Sequence, residues 1–389
     1  MASSTKRIAR RAGFTLVEML IGLTIGSFGM AVAAYVAKVA VRQGGRGAQA
    51  NALGSSSQTL GRQLRTDIEL AGYGSSGAIG IDPSEGELLP ASILTTGGWN
   101  AIPAARLLDN AASMSIGSET TMNNSDLLQL IVPNPATAVP LAVPLRKGTA
   151  ATELTPAAPG NFNGLTPPPA CGNALYFVAD YGSSTGAGRS QLIADPTSAT
   201  LQFDVAQGAY VMCARLSLYW VDQTFALRRS DYTLGSGPGV LGGVLIPSTT
   251  GMNDIMVPGA LDLQVALRLS SEAVGHGSTA DASWAFTAGG GSEGVLTALP
   301  VNWFEVRQIR FSIPLRAARA VDEPGQSMLS AIDDFENRPA GSLAADVQAL
   351  NPDGVGRGYA MVHVASSQTM YNVRYFDQNL PAGTPAEPY

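Results

Sequence analysis

An apolar run from Phe14 to about Ala37, broken by one charge at Glu18, constrains this chain more than any other feature. About 20 apolar residues suffice to carry a helix across a hydrocarbon core. The thirteen residues ahead of it, MASSTKRIARRAG, hold four basic side chains (Lys6, Arg7, Arg10 and Arg11) and no acid. By the positive-inside rule that leader stays cytoplasmic and the chain after the span is exported. Three processing routes are open on these residues alone. The first leaves a plain membrane anchor. The second is a secretory signal cut at Ala31-Val32-Ala33 or Val32-Ala33-Ala34, although the run exceeds the roughly 7–15 apolar residues of such signals. The third turns on Glu18, because a carboxylate in a membrane helix costs a few kcal/mol and implies a partner. The bland alternative for Glu18 is that it snorkels to the nearby interface.

Residues 10–20, RRAGFTLVEML, resemble the class III signal of type IV prepilins and type II secretion pseudopilins. The resemblance implies that prepilin peptidase, a membrane-embedded aspartic peptidase, cuts between Gly13 and Phe14 and that Phe14 is then N-methylated. Cleavage would create a positive amine on Phe14, four residues before Glu18 and on the same helix face. The Glu18 carboxylate would then neutralise its own amine, or meet that of a neighbouring subunit and fix axial register. Gly22 and Gly26 form a G-x-x-x-G, with Gly29 further along, and small residues permit close helix contact in lipid. Glycine is common in membrane helices, so that motif is weak when taken alone.

Beyond the span, Leu53, Leu60, Leu64, Ile68 and Ala71 make an amphipathic helical stripe, and Gly72 and Gly74 supply a stop. One helix is therefore expected from Phe14 to about Ala71, roughly 87 Å at about 1.5 Å per residue. Gly44, Gly45 and Gly47 predict a kink or fray within it. The expected divisions are a leader (1–13), a transmembrane half-helix (14–37) and an exported amphipathic half-helix (38–73). A loop-rich Gly/Ser/Pro segment (74–174) and a β-rich remainder (175–389) follow. Leu127–Val132 is the clearest strand of the loop-rich part. Later strands are expected at Leu175–Ala179, Ala209–Val221, Phe225–Arg228, Leu261–Leu269, Glu305–Leu315, Met361–Val364 and Met370–Phe376. Asp222-Gln223-Thr224 reads as a hairpin connection.

The segments Leu60–Tyr73 (LGRQLRTDIELAGY) and Val257–Val265 (VPGALDLQV) resemble the PilW-like minor pilins. That resemblance implies an α+β, pilin-like fold, with a long N-terminal helix packed on an antiparallel β-rich head carrying long loops. It further implies a minor pilin that primes a type IV pilus and stays at its tip, with other minor pilins, the major pilin and inner-membrane lipid as partners. A J-class minor pseudopilin of type II secretion and a pilus-tip adhesin are the alternatives. Size favours a minor subunit: about 315 residues beyond the helix make a globule about 50 Å across, awkward to repeat along a tight shaft.

Composition excludes several other functions. The formal charge is −6, and without the four leader cations the remaining 20 basic and 30 acidic residues give −10. An acidic exported body argues against a nucleic-acid partner. Two cysteines and two histidines are too few for a Cys/His zinc site, and no metal or cofactor is expected. Cys171 and Cys213 fall in the exported part, where a disulfide closing a loop of roughly 40 residues is expected, worth about 3–4 kcal/mol in the chain-entropy view. Gly182–Gly186 and Gly290–Gly294 both fit G-x-S-x-G but lack the strand-turn-helix context of a nucleophile elbow. Gly237–Gly242 fits G-x-G-x-x-G without a following helix. His276 falls in a glycine loop and His363 in a strand-like run, so each reads as structural or exposed and not as a general base, and Asp333-Asp334 lacks calcium-loop spacing. The chain is read as a peptidase substrate with no catalysis of its own.

Overall fold

The computed structural model describes residues 15–75, 78–82, 95–96, 99–111, 113–123, 125–154, 175–180, 189–193, 199–231, 239–241, 244–246, 253–269, 306–321 and 358–370. The chain divides into two compact units, Met1–Ala52 and Leu53–Tyr389. Helix α1 runs Leu16–Leu70, so its first part belongs to one unit and its last eighteen residues to the other. The helical pattern continues through Gly44, Gly45 and Gly47, where the sequence predicts a kink or fray. At the other end the helix stops as its glycines require. Gly72 takes φ of 61° and Gly74 of 85°, the left-handed region that glycine enters without a Cβ penalty. The Gly72 N–H then leaves the helix to bond Ile131 O at 2.7 Å.

Segment 74–174, expected to be mainly loops, contributes seven strands among its described residues. They are β1 (Ala78–Ile81), β2 (Thr95–Thr96), β3 (Trp99–Pro103), β4 (Ala105–Ala111), β5 (Ser115–Ile116), β6 (Glu119–Thr120) and β7 (Ser125–Pro140). The expected strand Leu127–Val132 is the middle of β7, which continues through Pro133 and Pro135. Pro135 falls where the pairing with β10 breaks register, whereas Pro133 stays in register opposite Ala214. Cys213 opposes Asn134 and Val211 opposes Val139, so residues 135–138 bulge out. Thr137 Oγ1 closes the bulge by accepting the Cys213 N–H at 2.9 Å.

The later strands are β8 (Leu175–Asp180), β9 (Arg189–Ile193), β10 (Tyr210–Val221), β11 (Ala226–Asp231), β12 (Gly239–Leu241), β13 (Val244–Ile246), β14 (Asn253–Pro258), β15 (Gln264–Leu269), β16 (Val306–Val321) and β17 (Gly358–Thr369). The expected strand Met370–Phe376 lies, past Met370, outside the described residues, and Met370 itself follows β17. The Asp222–Phe225 connection turns the chain between β10 and β11. Asp222 Oδ1 accepts the N–H groups of Thr224 and Ala226, each at 2.8 Å, as aspartate does in turns.

Ten strands form one sheet in the order β14-β11-β10-β8-β9-β1-β3-β2, with β7 along the other side of β10 and β4 beyond β7. Its pairs are antiparallel apart from β1 with β9. A second sheet has the order β15-β16-β17, and β5-β6 and β12-β13 are small hairpins. The chain crosses from the first sheet to the second at Gly259, whose φ is 85°. Its carbonyl accepts the Arg316 N–H at 2.8 Å, and Leu261 N donates to Pro314 O at 2.9 Å. A Cβ at Gly259 would collide with the Arg316 carbonyl oxygen, so this turn requires glycine. The motif VPGALDLQV is thus the joint between two sheets.

The main core of the second unit draws on α1 and both sheets. Leu60, Leu64 and Ile68 join Leu128, Leu130, Phe177, Tyr219, Val265, Phe311, Ile313 and Leu315, all essentially buried. Every residue of the predicted helical stripe (Leu53, Leu60, Leu64, Ile68, Ala71) is buried. A fully buried leucine or isoleucine contributes about 1.5–3 kcal/mol, so this stripe is the chief reason the helix stays on the sheets. The fold is α+β, a long N-terminal helix followed by a strand-rich part.

Candidate functional site

The described start of the chain shows a local device at the sequence-predicted site. Thr15 stands just before α1, and Glu18 is three residues on. The Thr15 N–H donates to Glu18 Oε2 at 2.9 Å, and Thr15 Oγ1 donates to the same oxygen at 3.0 Å. The Glu18 N–H points back to Thr15 Oγ1 at 3.3 Å. This is a capping box, in which N-cap hydroxyl and N3 carboxylate satisfy each other's free backbone donors. The signal T-x-x-E was in the sequence, and the reading of Glu18 as a charge partner passed over it. Oε1 of Glu18 has no hydrogen-bond partner among the described residues, so half of the carboxylate remains open to a second group. Gly13 and Phe14, the expected cleavage and methylation positions, lie outside the described residues.

Within Met1–Ala52, the apolar side chains Leu16, Met19, Leu23, Ile25, Phe28 and Met30 are two-thirds or more exposed. One helix of the described chain is long and apolar enough to cross a membrane, and none of its most apolar window is buried. Polar groups in that stretch are handled locally. Thr24 Oγ1 donates to Leu20 O and Ile21 O, and Ser27 Oγ to Thr24 O. Hydroxyls satisfied on their own helix can enter lipid without an orphan donor. Gly22 and Gly26 face open space: a Cβ on either would meet nothing within 4 Å. Close packing through this pair therefore needs a second helix, from outside the described chain.

In Leu53–Tyr389 the structure adds a polar lock that the sequence reading missed. Asp67, on α1, is 3% exposed. It accepts hydrogen bonds from the Tyr219 hydroxyl and from Arg215 Nη2, the latter at 2.8 Å. Burial and the neighbouring Asp67 charge hold the Tyr219 phenol well above the ordinary tyrosine range. Burial pulls the Arg215 guanidinium down, but Asp67, Asp231 and Tyr219 outweigh it and raise the pKa overall. The clue was a lone acid between Leu64 and Ile68, on a face the stripe marks as buried. Further contacts fix the same half-helix: Gln368, on β17, donates to Glu69, and a Cβ on Gly61 would lie 3.6 Å from Val364 Cγ1.

Cys213 is disulfide-bonded. Cys171, the chain's only other cysteine, lies outside the described residues. His276, Gly182–Gly186, Gly290–Gly294 and Asp333-Asp334 also lie outside them. His363 falls within β17. No group of three His, Cys, Asp or Glu side chains among the described residues is placed to hold a metal.

Residues 8–34 match the family described as the prokaryotic N-terminal methylation motif. No curated protein and no solved structure matches the chain. The matched stretch spans Gly13, Phe14 and Glu18 and the start of the exposed apolar helix. It supports a type IV pilin-like or pseudopilin-like protein, with prepilin-type processing and membrane anchoring by α1.

Proposed function

We propose that this chain is a minor pilin that takes part in priming a type IV pilus and remains in its tip complex. On this reading prepilin peptidase cuts between Gly13 and Phe14, and Phe14 is N-methylated. The anchored subunit waits in the inner membrane with its head in the periplasm, then enters the filament with other minor pilins and the major pilin. The chain is the peptidase's substrate and carries out no chemistry itself. The observation that carries the reading is the N-terminal methylation motif at residues 8–34, set on one long helix ahead of a large strand-rich head. The exposed, self-satisfied apolar half of α1 suits both lipid and a bundle with the helices of other pilins. Its open Glu18 oxygen suits an α-amine.

Mass analysis of the mature N-terminus tests this. A chain beginning at methylated Phe14 supports the reading. An intact Met1, or a start near Ala34, overturns it. Deletion of the gene then separates pilus from secretion roles, since loss of pili and twitching is expected while protein secretion is retained.

A further inference from the structure

The helix that carries the apolar run also carries charge of one sign. Between Glu18 and Asp67 the sequence holds five cations (Lys38, Arg42, Arg46, Arg62 and Arg65) and no acid. Lys38, Arg42 and Arg46 follow the apolar run directly and fall in Met1–Ala52. They stand four residues apart on α1, so each step turns by about 40° and all three positions share about 80° of one helix face. Tyr35 falls on that face too. With no acid three or four residues away, none of the three cations has a counter-charge on its own helix.

Two observations set the height of these cations. Lys38 stands twenty residues beyond Glu18. At about 1.5 Å per residue that is about 30 Å, the thickness of a hydrocarbon core. Tyr35, 69% exposed and one turn before Lys38, is a residue type that gathers where membrane meets water. A span that starts at Glu18 therefore ends within residues 35–38. Arg42 then stands about 6 Å further out, within the headgroup layer, and Arg46 about 12 Å out, within reach of it for a long side chain. Lys38 is exposed, as are Val41, Gln43, Gly44, Gly45 and Gly47 around the two arginines. A Cβ on any of those glycines would meet nothing within 4 Å, so no described residue crowds this stretch of helix.

We propose that Lys38, Arg42 and Arg46 bind the phosphates of anionic phospholipids, in the leaflet on the exported side of the membrane that α1 spans. The lipid surface is the occupant because the cations continue a helix already suited to lipid, at the height where phosphate lies. A guanidinium fork also matches two phosphate oxygens at once. These pairs fix the depth of the anchored helix and have to break when it leaves the bilayer. The proposal rests on membrane anchoring by α1, and not on cleavage between Gly13 and Phe14 or on a filament.

The test reconstitutes the full chain in phosphatidylcholine vesicles with a trace of spin-labelled phosphatidylglycerol or spin-labelled phosphatidylcholine. Electron spin resonance measures the labelled lipid immobilised on the protein. The comparison is a triple variant, Lys38→Gln, Arg42→Gln and Arg46→Gln, which keeps helix propensity and should fold. Wild type is expected to prefer phosphatidylglycerol, and the triple variant to lose about threefold or more of that preference. Averaging over all lipids round the helix leaves this fraction of the roughly fivefold that each surface cation contributes. Salt at about 1 M should weaken the preference of wild type toward that of the variant. Replacing Lys6, Arg7, Arg10 and Arg11 by Gln removes the leader's share and should leave the share of the three cations in place. Equal preference in wild type and the triple variant overturns the proposal, and so does a wild type with none. If the triple variant keeps the preference yet fails to co-purify with pili, the cations meet an acidic neighbouring subunit and the lipid assignment is wrong. Immobilisation of neither lipid would overturn the anchored reading of α1 itself, which a lost headgroup preference alone would leave standing.

Discussion

The Tyr219 hydroxyl donates to Oδ2 of Asp67, joining the last turns of α1 to β10, while Arg215 Nη2 holds the other oxygen at 2.8 Å. One buried carboxylate thus ties the helix to the sheet through two donors. Asp67→Ala would leave both without an acceptor. Breaking a fully buried pair costs about 3–5 kcal/mol. The Arg215 side chain is 36% exposed and can turn to water, so about 2–3 kcal/mol is expected here. Asp67→Asn keeps an acceptor and the shape, and should lose less. Denaturant unfolding of the two variants beside wild type measures the difference. Equal stability for all three would show that the apolar stripe alone fixes the helix.

Alkali should act on the same lock. Tyr219 is held well above the ordinary tyrosine range by burial and Asp67, and Tyr176 is pushed up to about 12 by burial. Unfolded tyrosines lose their protons near pH 10. Above that pH the unfolded chain binds fewer protons than the folded one, so the free energy of unfolding falls as pH rises. The stabilising contribution is complete below about pH 10 and is lost as pH climbs through the raised folded values. Arg106, lowered to about 10 by burial, works in the opposite direction over the same window. Tyr219→Phe isolates the tyrosine contribution and should flatten the alkaline loss. Phenolate absorbance should show two tyrosines that ionise at higher pH than the rest; if all eleven titrate smoothly near pH 10, that assignment fails.

Gly259→Ala tests the joint between the sheets. Alanine at φ 85° is strained, and its methyl would enter the space of the Arg316 carbonyl. That carbonyl belongs to β16, whose neighbouring Arg316 N–H bonds Gly259 O, so the backbone has little freedom to move. Arg316 also lies over the Phe225 ring at 4.2 Å, and Phe225 itself has a φ of 64°. A loss of about 2–4 kcal/mol is expected, more than an ordinary surface Gly→Ala change. Thermal melting of the full chain checks it, and a loss below about 0.5 kcal/mol would show that the turn can relax.

Periodic signals carried well from sequence to structure, and irregular ones did not. Leu53, Leu60, Leu64, Ile68 and Ala71 are spaced by the helix itself, so one face could be named from the sequence and is buried. Ala209–Val221 and Glu305–Leu315 are long β-rich runs, and β10 and β16 lie on them. β7 was seen only in part because Pro133, Asn134 and Pro135 are turn signals. The bulge opposite Cys213 takes up Pro135, closed by a contact 76 residues away in sequence. Asp67, Tyr219 and Arg215 could not be paired from sequence, since nothing local states that β10 lies beneath that turn of the helix. Arg106, buried on β4, was equally silent, because a charge on a short strand reads as solvated until the register places it.

At the membrane end, Thr15 and Glu18 make separable predictions. Glu18 Oε2 is occupied by both Thr15 donors, and Oε1 is open among the described residues. Glu18→Ala removes cap and charge together, whereas Glu18→Gln keeps an oxygen for the Thr15 N–H and removes the charge. Thr15→Ala keeps the charge and removes the hydroxyl cap, at a cost of about 1 kcal/mol in helix stability. If Glu18 acts by pairing with an α-amine, both Glu18 variants should be processed largely as wild type but fail to enter the filament complex. Thr15→Ala should then enter at near wild-type level. Co-purification of each variant with pili, alongside the mass of its mature N-terminus, reads the two effects independently. Normal incorporation of Glu18→Gln would reduce Glu18 to a helix cap. A defect in Thr15→Ala equal to that of Glu18→Ala would mean that a well-formed helix start, and not the charge, is what the filament selects.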